Sequence, residues 1–215
     1  MNYLKTIYSE ERKPYTNYPA FLVTYLKYKL NLIEQKKLLD LGCGRGDFLQ
    51  CFWILNFRAE GFDREELLYF KHIPFTQGDF NKDLPYEDNT FDIIFCKSVI
   101  EHTHTPEHIF SEAYRILKPN GLFIVMTPDW ESVYKYFYED FTHKTPFMIQ
   151  SLRDIYLIHN FKDVHCEKFI QLPWLWDKPY LKFICEIAKL FYTSDTKNKL
   201  IKFSKEKMLL GVGVK

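Results

Sequence analysis

The chain has 215 residues, of which 47% are hydrophobic, so it is long enough for one domain with a sizeable core and is not a disordered chain. Its formal net charge of +1 leaves no overall basic excess that would bind nucleic acid through the phosphates. The five cysteines include no C-x-x-C pair, which argues against a disulfide framework and a structural zinc site.

A first helix is predicted to begin near Pro19, because apolar residues then recur at helical spacing. Tyr15 and Tyr18 lie just before it. Two interpretations are open for these tyrosines: they cover a bound ligand as a lid, or they pack the helix onto the body of the protein. We count both as candidate substrate-binding residues.

The central motif, Leu-Asp-Leu-Gly-Cys-Gly-Arg-Gly, predicts a buried strand that runs into a glycine-rich turn. Its glycines let the backbone turn sharply and come close to a ligand. The next residue, Asp47, stands where a dinucleotide-binding motif has its third glycine. Together with Asp40 just before the turn, it favours a cationic ligand, such as a sulfonium with an amino-acid tail. A purely structural turn is the alternative.

Carboxylates follow the next two predicted strands. Asp63 lies about 20 residues beyond the glycine turn, where nucleotide-binding units place an acid that accepts hydrogen bonds from ribose hydroxyls. Asp79 and Phe80 follow a short strand and are placed to meet an exocyclic amine and an adenine ring. An Asx turn is the alternative for Asp79. Between the two strands, the pattern predicts a helix through residues 65–70.

Residues 91–97 read as a buried strand that ends at Lys97. Ligands in open α/β sheets bind beyond the carboxyl ends of the strands, so this end should face the site. A turn at 118–121 precedes a fifth strand at 122–126. The remaining predicted elements are helices at 106–117 and 149–158, a strand at 163–169, a mostly helical segment at 173–205 and a final strand at 208–214.

Taken in order, several motifs resemble those of the class I S-adenosylmethionine-dependent methyltransferases. They are the glycine motif at 39–46, Gly-Phe-Asp at 61–63, Gly-Asp-Phe at 78–80, the segment 84–102 and Leu-Lys-Pro-Asn-Gly-Leu at 117–122. The resemblance implies an α/β fold with a Rossmann-like, seven-stranded, mostly parallel sheet, helices on both faces and an antiparallel last strand. It also implies a single domain over 1–215.

Within that domain, residues of about 36–130 would form the cofactor-binding core, and about 1–35 and 130–205 would cap the substrate side. The implied cofactor is S-adenosylmethionine. Its amino-acid end would meet the glycine turn, its ribose Asp63 and its adenine Asp79 and Phe80. The cofactor-binding residues expected from the resemblance are Asp40, Gly42, Cys43, Gly44, Asp63, Arg64, Asp79, Phe80 and Lys97.

The favoured general base is His143, since the pKa of an imidazole suits proton removal near neutral pH and the neighbouring Asp140 could orient it. His102, after the fourth strand, is the second candidate, and Trp130 is a candidate substrate contact. A solvated loop histidine is the alternative for His143. No metal site is expected, because no carboxylate or cysteine spacing completes a set with His102, His104 and His108.

The sequence thus predicts transfer of a methyl group to an oxygen or nitrogen of a small molecule. The segment 140–146 is similar to small bacterial methyltransferases of surface-polysaccharide or metabolite pathways, so a sugar or phosphorylated metabolite is the expected acceptor. The alternatives are a protein or RNA methyltransferase and a non-catalytic binder of the cofactor. We expect a cytoplasmic monomer or homodimer without nucleic-acid partners or a transmembrane segment, because no apolar leader or long apolar run is present.

Overall fold

The computed structural model describes residues 14–193 and 196–215, and its centre is a seven-stranded sheet in the order β3-β2-β1-β4-β5-β7-β6. The strands are β1 (Lys37–Leu41), β2 (Arg58–Asp63), β3 (Phe75–Gln77), β4 (Phe91–Lys97), β5 (Leu117–Pro128), β6 (Lys162–Phe169) and β7 (Met208–Val214). The pairs from β3 to β5 are parallel, and β7 runs antiparallel to both of its neighbours. This confirms the predicted fold, including the antiparallel last strand.

Helices cover both faces of the sheet, as predicted. The α-helices are α1 (Tyr18–Lys29), α2 (Asp47–Ile54), α3 (Pro106–Ile116), α4 (Trp130–Val133), α5 (Ile149–Ile158), α6 (Lys182–Ala188) and α7 (Lys199–Lys205). Side chains alternate across the strands, so Ile94 of β4 packs with α3 and α5 on one face. Its neighbours Ile93 and Phe95 pack with α1 and α2 on the other face. Both faces are therefore buried, which explains the nearly continuous apolar strands.

The strand β7 carries two glycines where a helix comes close. A Cβ on Gly211 would lie 2.8 Å from the ring of Tyr156, and one on Gly213 would lie 2.7 Å from it. Tyr156 is fully buried and donates its hydroxyl proton to the Phe123 carbonyl at 3.1 Å. The glycines thus leave room for a large aromatic side chain against the middle of the sheet.

The predicted helix through residues 65–70 is wrong, because these residues form turns and irregular backbone. They are held against the glycine turn instead. The Tyr69 N–H donates to the Arg45 carbonyl at 3.3 Å, and Leu68 packs so closely over Gly46 that a Cβ there would lie 2.7 Å away. These contacts with a segment distant in sequence override the local helical pattern.

The predicted turn at 118–121 lies inside β5. Phe91 pairs with Leu117 but Ile93 pairs with Leu122, so the four intervening residues bulge out of the ladder. Asn120 sits there in the left-handed region with a φ of 63°. The sequence therefore located the irregularity correctly and placed the start of the strand five residues late.

The segment 173–205 is mostly helical, as predicted, but only part of it packs into a core. Leu175 and Cys185 are buried in a small cluster of their own. Ile187, Leu190 and Phe191, by contrast, are 55%, 77% and 67% exposed. None of the helices in the described part of the chain has the length and apolar character needed to cross a bilayer.

Candidate active site

The glycine turn connects β1 to α2 at the carboxyl edge of the sheet. Gly42, Gly44 and Gly46 have φ values of 87°, 55° and 86°, in the left-handed region that favours glycine. A Cβ on Gly42 would lie 2.1 Å from Cγ2 of Val99, whereas a Cβ on Gly44 would meet no atom within 4 Å. The turn therefore rests on the end of β4 at Gly42 and presents open backbone at Gly44.

Asp63 ends β2 directly beside this open backbone. One carboxylate oxygen accepts the Gly44 N–H at 2.8 Å and the other accepts the Arg64 N–H at 2.7 Å. A carboxylate has lone pairs for about four hydrogen bonds, so two remain for a ligand diol. Burial raises the pKa of Asp63, and the two backbone donors oppose that shift. Asp63 therefore lies beside the glycine turn, where the sequence predicted an acid.

Asp40 lies beneath the turn and is only 3% exposed. Burial raises its pKa to about 8, with a further contribution from the negative charge of Asp63. A hydrogen bond from the Leu49 backbone and the positive charge of Lys97 act in the opposite direction. Asp40 therefore lies beneath the turn, where a cation bound above it would lower its raised pKa.

We expect the variant Asp40→Asn to gain stability relative to the parent chain as pH rises. The folded parent keeps a proton on Asp40 between its ordinary pKa of 3.8 and about 8, whereas the unfolded chain releases it. Folding stability therefore falls across this window, and asparagine has no proton to lose. Melting temperatures of both proteins, measured against pH without cofactor, test this, and curves that stay parallel would contradict it.

Cys43 sits inside the turn and is buried. Burial raises the pKa of its thiol far above the usual range, so it is not a nucleophile. Its sulfur packs on β2, where a Cβ on Gly61 would lie 2.8 Å away. Its place in the turn is thus that of a small packing residue.

At the rim of this region, Arg64, Asp79 and Phe80 form one cluster. The Arg64 guanidinium lies 3.0 Å from the Asp79 carboxylate and 5.4 Å from the centre of the Phe80 ring. Asp79 also accepts the Asn81 N–H at 3.1 Å, so the Asx turn considered for it is present. Because Arg64 directly follows Asp63 in the chain, this cluster lies next to the acid at the end of β2.

The candidate substrate residues lie apart from one another. Tyr15 stacks 4.5 Å from the Arg45 guanidinium and so covers the glycine turn. Tyr18 donates its hydroxyl proton to Gln171 at 3.2 Å and packs the helix onto the body of the protein. Trp130, at the start of α4, packs against the Phe137 ring with ring centres 5.2 Å apart, beside the loop that carries His143.

The two candidate catalytic histidines meet. His102, in a 3-10 helix after β4, and His143, in the loop after α4, have ring centres 4.7 Å apart. The Asp140 carboxylate accepts the Thr142 hydroxyl proton at 2.6 Å, and Thr142 in turn lies 2.8 Å from Nδ1 of His102. Asp140 thus orients His102 through Thr142. Nδ1 of His143 lies 2.6 Å from the Phe137 carbonyl.

Glu101 is the residue that the sequence reasoning missed as a candidate site residue. Its carboxylate is 1% exposed, accepts the Thr127 hydroxyl proton at 3.0 Å and lies beside both histidines. Burial raises its pKa to about 7, and the charge of Lys97 opposes that shift. The sequence did offer a signal for Glu101, since it is a charged residue that stands next to His102 just after a buried strand. Lys97 therefore acts on both Asp40 and Glu101, as its position at the end of β4 allows.

Solved structures with the same architecture include S-adenosylmethionine-dependent methyltransferases. A SAM dependent methyltransferase from Archaeoglobus fulgidus matches 100% of both chains with a TM-score of 0.71 and 19% identity. Phosphoethanolamine N-methyltransferase 2 of Haemonchus contortus, in complex with S-adenosyl-L-methionine, matches 100% of this chain and 60% of that chain with a TM-score of 0.66 and 15% identity. At these identities the likeness concerns the fold.

Curated relatives match about half of the chain. The sterol 24-C-methyltransferase erg6 of Schizosaccharomyces pombe is 32% identical over 126 residues, which are 50% of this chain and 33% of that protein. The sterol 24-C-methyltransferase of Candida albicans is also 32% identical over 126 residues, 52% of this chain and 32% of that protein. The match therefore spans about a third of the length of these relatives.

A family model described as "Methyltransferase domain" matches residues 12–188, which is most of the chain. Its extent includes the glycine turn, the acid at the end of β2 and the histidine pair. The seven-stranded sheet with its antiparallel last strand agrees with that assignment. The chain therefore belongs to the S-adenosylmethionine-dependent methyltransferases of class I fold.

Proposed function

We propose that this methyltransferase acts on a hydroxyl group of a small molecule, such as a sugar or a phosphorylated metabolite of surface-polysaccharide synthesis. The observation that carries the proposal is the meeting of His102 and His143 beyond the ends of β4 and β5, where acceptors of open α/β sheets bind. A hydroxyl acceptor must lose a proton, and an imidazole near neutral pH is suited to take it.

The cofactor-binding residues fit the cofactor of the family. Gly44 presents backbone with no atom within 4 Å of an added Cβ, and the Asp63 carboxylate beside it has lone pairs left for ribose hydroxyls. We assign the adenine to the surface formed by Arg64, Asp79 and Phe80. Asp40 is buried beneath the cationic end of the cofactor, whose positive charge would lower the raised Asp40 pKa and favour the ionised carboxylate.

The acceptor chemistry follows from the tautomer of His143. A carbonyl oxygen only accepts hydrogen bonds, so Nδ1 of His143 carries the proton toward Phe137 and Nε2 carries the lone pair. S-adenosylmethionine supplies an electrophilic methyl group, and its sulfur keeps the bonding electron pair when that group leaves. His143 takes the hydroxyl proton at Nε2 as the new oxygen–carbon bond forms. His102, oriented by Thr142, helps to position the hydroxyl.

A sterol or another apolar acceptor is the second candidate. It is favoured by the similarity to the sterol 24-C-methyltransferases, which concerns half of the chain. Methylation at carbon does not begin with removal of a hydroxyl proton. The two candidates therefore differ in how much a base contributes to the rate.

To test the proposal, the protein is incubated with S-adenosylmethionine and a panel of sugars, sugar nucleotides, phosphorylated metabolites and sterols. Release of S-adenosylhomocysteine and product mass are measured. We expect an O-methylated product whose rate of formation falls about 100-fold or more in His143→Gln, as loss of a general base predicts. The control is His104→Gln, which changes an exposed histidine outside the pair. A C-methylated sterol, formed equally fast by His143→Gln, would overturn the proposal.

A further inference from the structure

Three potential metal ligands converge at the acceptor side of the site. The carboxylate of Glu101 and one ring nitrogen each of His102 and His143 all lie within 4.8 Å of one another. Ligands bound to one first-row metal ion at about 2.1 Å lie about 3–4 Å apart. Small side-chain rotations are enough to bring these three atoms onto a common ion.

Both imidazoles are held in the tautomer that a metal ligand needs. Nδ1 of His143 donates to the Phe137 carbonyl at 2.6 Å. The Thr142 hydroxyl gives its proton to Asp140, so it accepts from Nδ1 of His102 at 2.8 Å. In each ring the lone pair is then on Nε2. A metal-binding histidine usually donates its other N–H to a carbonyl or carboxylate in this way.

The supporting backbone fixes the three residues relative to one another. The Glu101 carbonyl accepts the N–H of Lys144 at 2.7 Å and of Thr145 at 3.1 Å, which ties the loop of His143 to the 3-10 helix of His102. Thr127 orients the Glu101 carboxylate from the end of β5. Three hydrogen bonds therefore join the two segments, two at the Glu101 carbonyl and one between Thr142 and His102. Thr127 and the Phe137 carbonyl fix the remaining two ligand side chains.

We propose that Glu101, His102 and His143 bind one divalent first-row metal ion, such as Mn²⁺, Co²⁺ or Zn²⁺, and that an oxygen of the acceptor completes its coordination. Two imidazoles and one carboxylate suit such ions and leave positions open for substrate. The ion lowers the pKa of the bound hydroxyl, whose proton passes to water while the alkoxide stays on the metal. The inference departs from the sequence expectation of no metal, because Glu101 and His143, rather than His104 and His108, accompany His102.

The proposal rests on the proposed hydroxyl acceptor, but it gives the two histidines a different role in the reaction. With the ion bound, their lone pairs hold the metal and are not available as bases. The acceptor class narrows to molecules that offer an oxygen ligand beside the methylated position, such as a vicinal diol or a hydroxyl next to a phosphate. Such acceptors chelate an ion through two oxygens.

Binding of Co²⁺ to the 215-residue chain tests the site without any acceptor. The protein is stripped with a chelator, and Co²⁺ is titrated by calorimetry and by visible absorption. We expect the parent to bind one ion per chain and the double variant His102→Gln/His143→Gln to lose this binding. Thr142→Val should bind about 10–100-fold more weakly, because it removes only the hydroxyl that orients His102. His104→Gln should bind as the parent does. Absence of saturable binding, or equal binding by the double variant, would overturn the proposal.

Two further measurements separate this proposal from the proposed function. Calorimetry with S-adenosylmethionine checks that each variant still folds and binds the cofactor. O-methylation that proceeds at the full rate in excess chelator would overturn the metal site and leave the proposed function standing. Stoichiometric Co²⁺ binding, without methylation of any hydroxyl acceptor, would support the site and count against the proposed function.

Discussion

A Gly42→Ala protein is expected to melt about 6–12 °C below the parent, since about 3 kcal/mol of stability is lost and each kcal/mol shifts the melting temperature by about 2–4 °C at this chain length. Two costs add. The φ of 87° strains an L-residue by about 1–2 kcal/mol, and overpacking adds about 1–3 kcal/mol. The overpacking arises because the new Cβ would lie 2.1 Å from Val99. Thermal unfolding followed by circular dichroism measures the effect.

The matched control is Gly44→Ala in the same turn. Its φ of 55° carries the strain, but a Cβ there meets nothing within 4 Å, so about 1–2 kcal/mol is expected. Adding Val99→Ala to Gly42→Ala should recover part of the loss, because it removes the clashing methyl group. Equal melting temperatures for the two glycine variants would show that the contact between Gly42 and Val99 does not contribute to the loss of stability.

An Asp63→Asn protein is expected to bind S-adenosylmethionine about 100-fold more weakly than the parent, with S-adenosylhomocysteine affected alike. Each hydrogen bond from a ribose hydroxyl to a charged acceptor contributes about 1.5–3 kcal/mol. Asparagine has one acceptor oxygen, which the Gly44 or Arg64 N–H already occupies in the parent geometry. Isothermal titration calorimetry with both ligands is the measurement.

The control for this substitution is Asp83→Asn. The Asp83 side chain is 90% exposed and lies outside the residues assigned to the cofactor. It changes the net charge by the same amount, so it removes a general electrostatic effect from the comparison. Affinities for Asp63→Asn and Asp83→Asn that agree within twofold would refute the ribose assignment.

The sequence predicted the positions of most strands along the chain, and the reasons differ from strand to strand. The strand 91–97 was predicted to the residue because its apolar run, interrupted only by Asp92, is bounded by a polar turn and Lys97. The final strand was located equally well. The helix through 65–70 failed because its apolar spacing is used for contacts with Gly46 and Arg45, which no local pattern reveals.

For the site, the sequence placed the residues of the glycine turn and Asp63 together because they follow neighbouring strands β1 and β2. The meeting of His102 and His143 depends on a loop whose course is set by the Glu101 carbonyl, so it could not be read from spacing. Glu101 was not considered because its neighbour His102 was the residue expected to act as a base. Its burial became evident only from the three-dimensional arrangement.

The position of β7 has a consequence during synthesis. A ribosome delivers β5 and β6 before β7, yet β7 lies between them in the sheet. Until β7 emerges, β6 has no strand to pair with, and the edge of β5 that faces β7 lacks a strand partner. Exposed strand edges of this kind invite pairing with other chains. The β5–β7–β6 part of the sheet therefore forms in one step after β7 is made. The slower that step, the longer the strand edges of the nascent chain stay exposed.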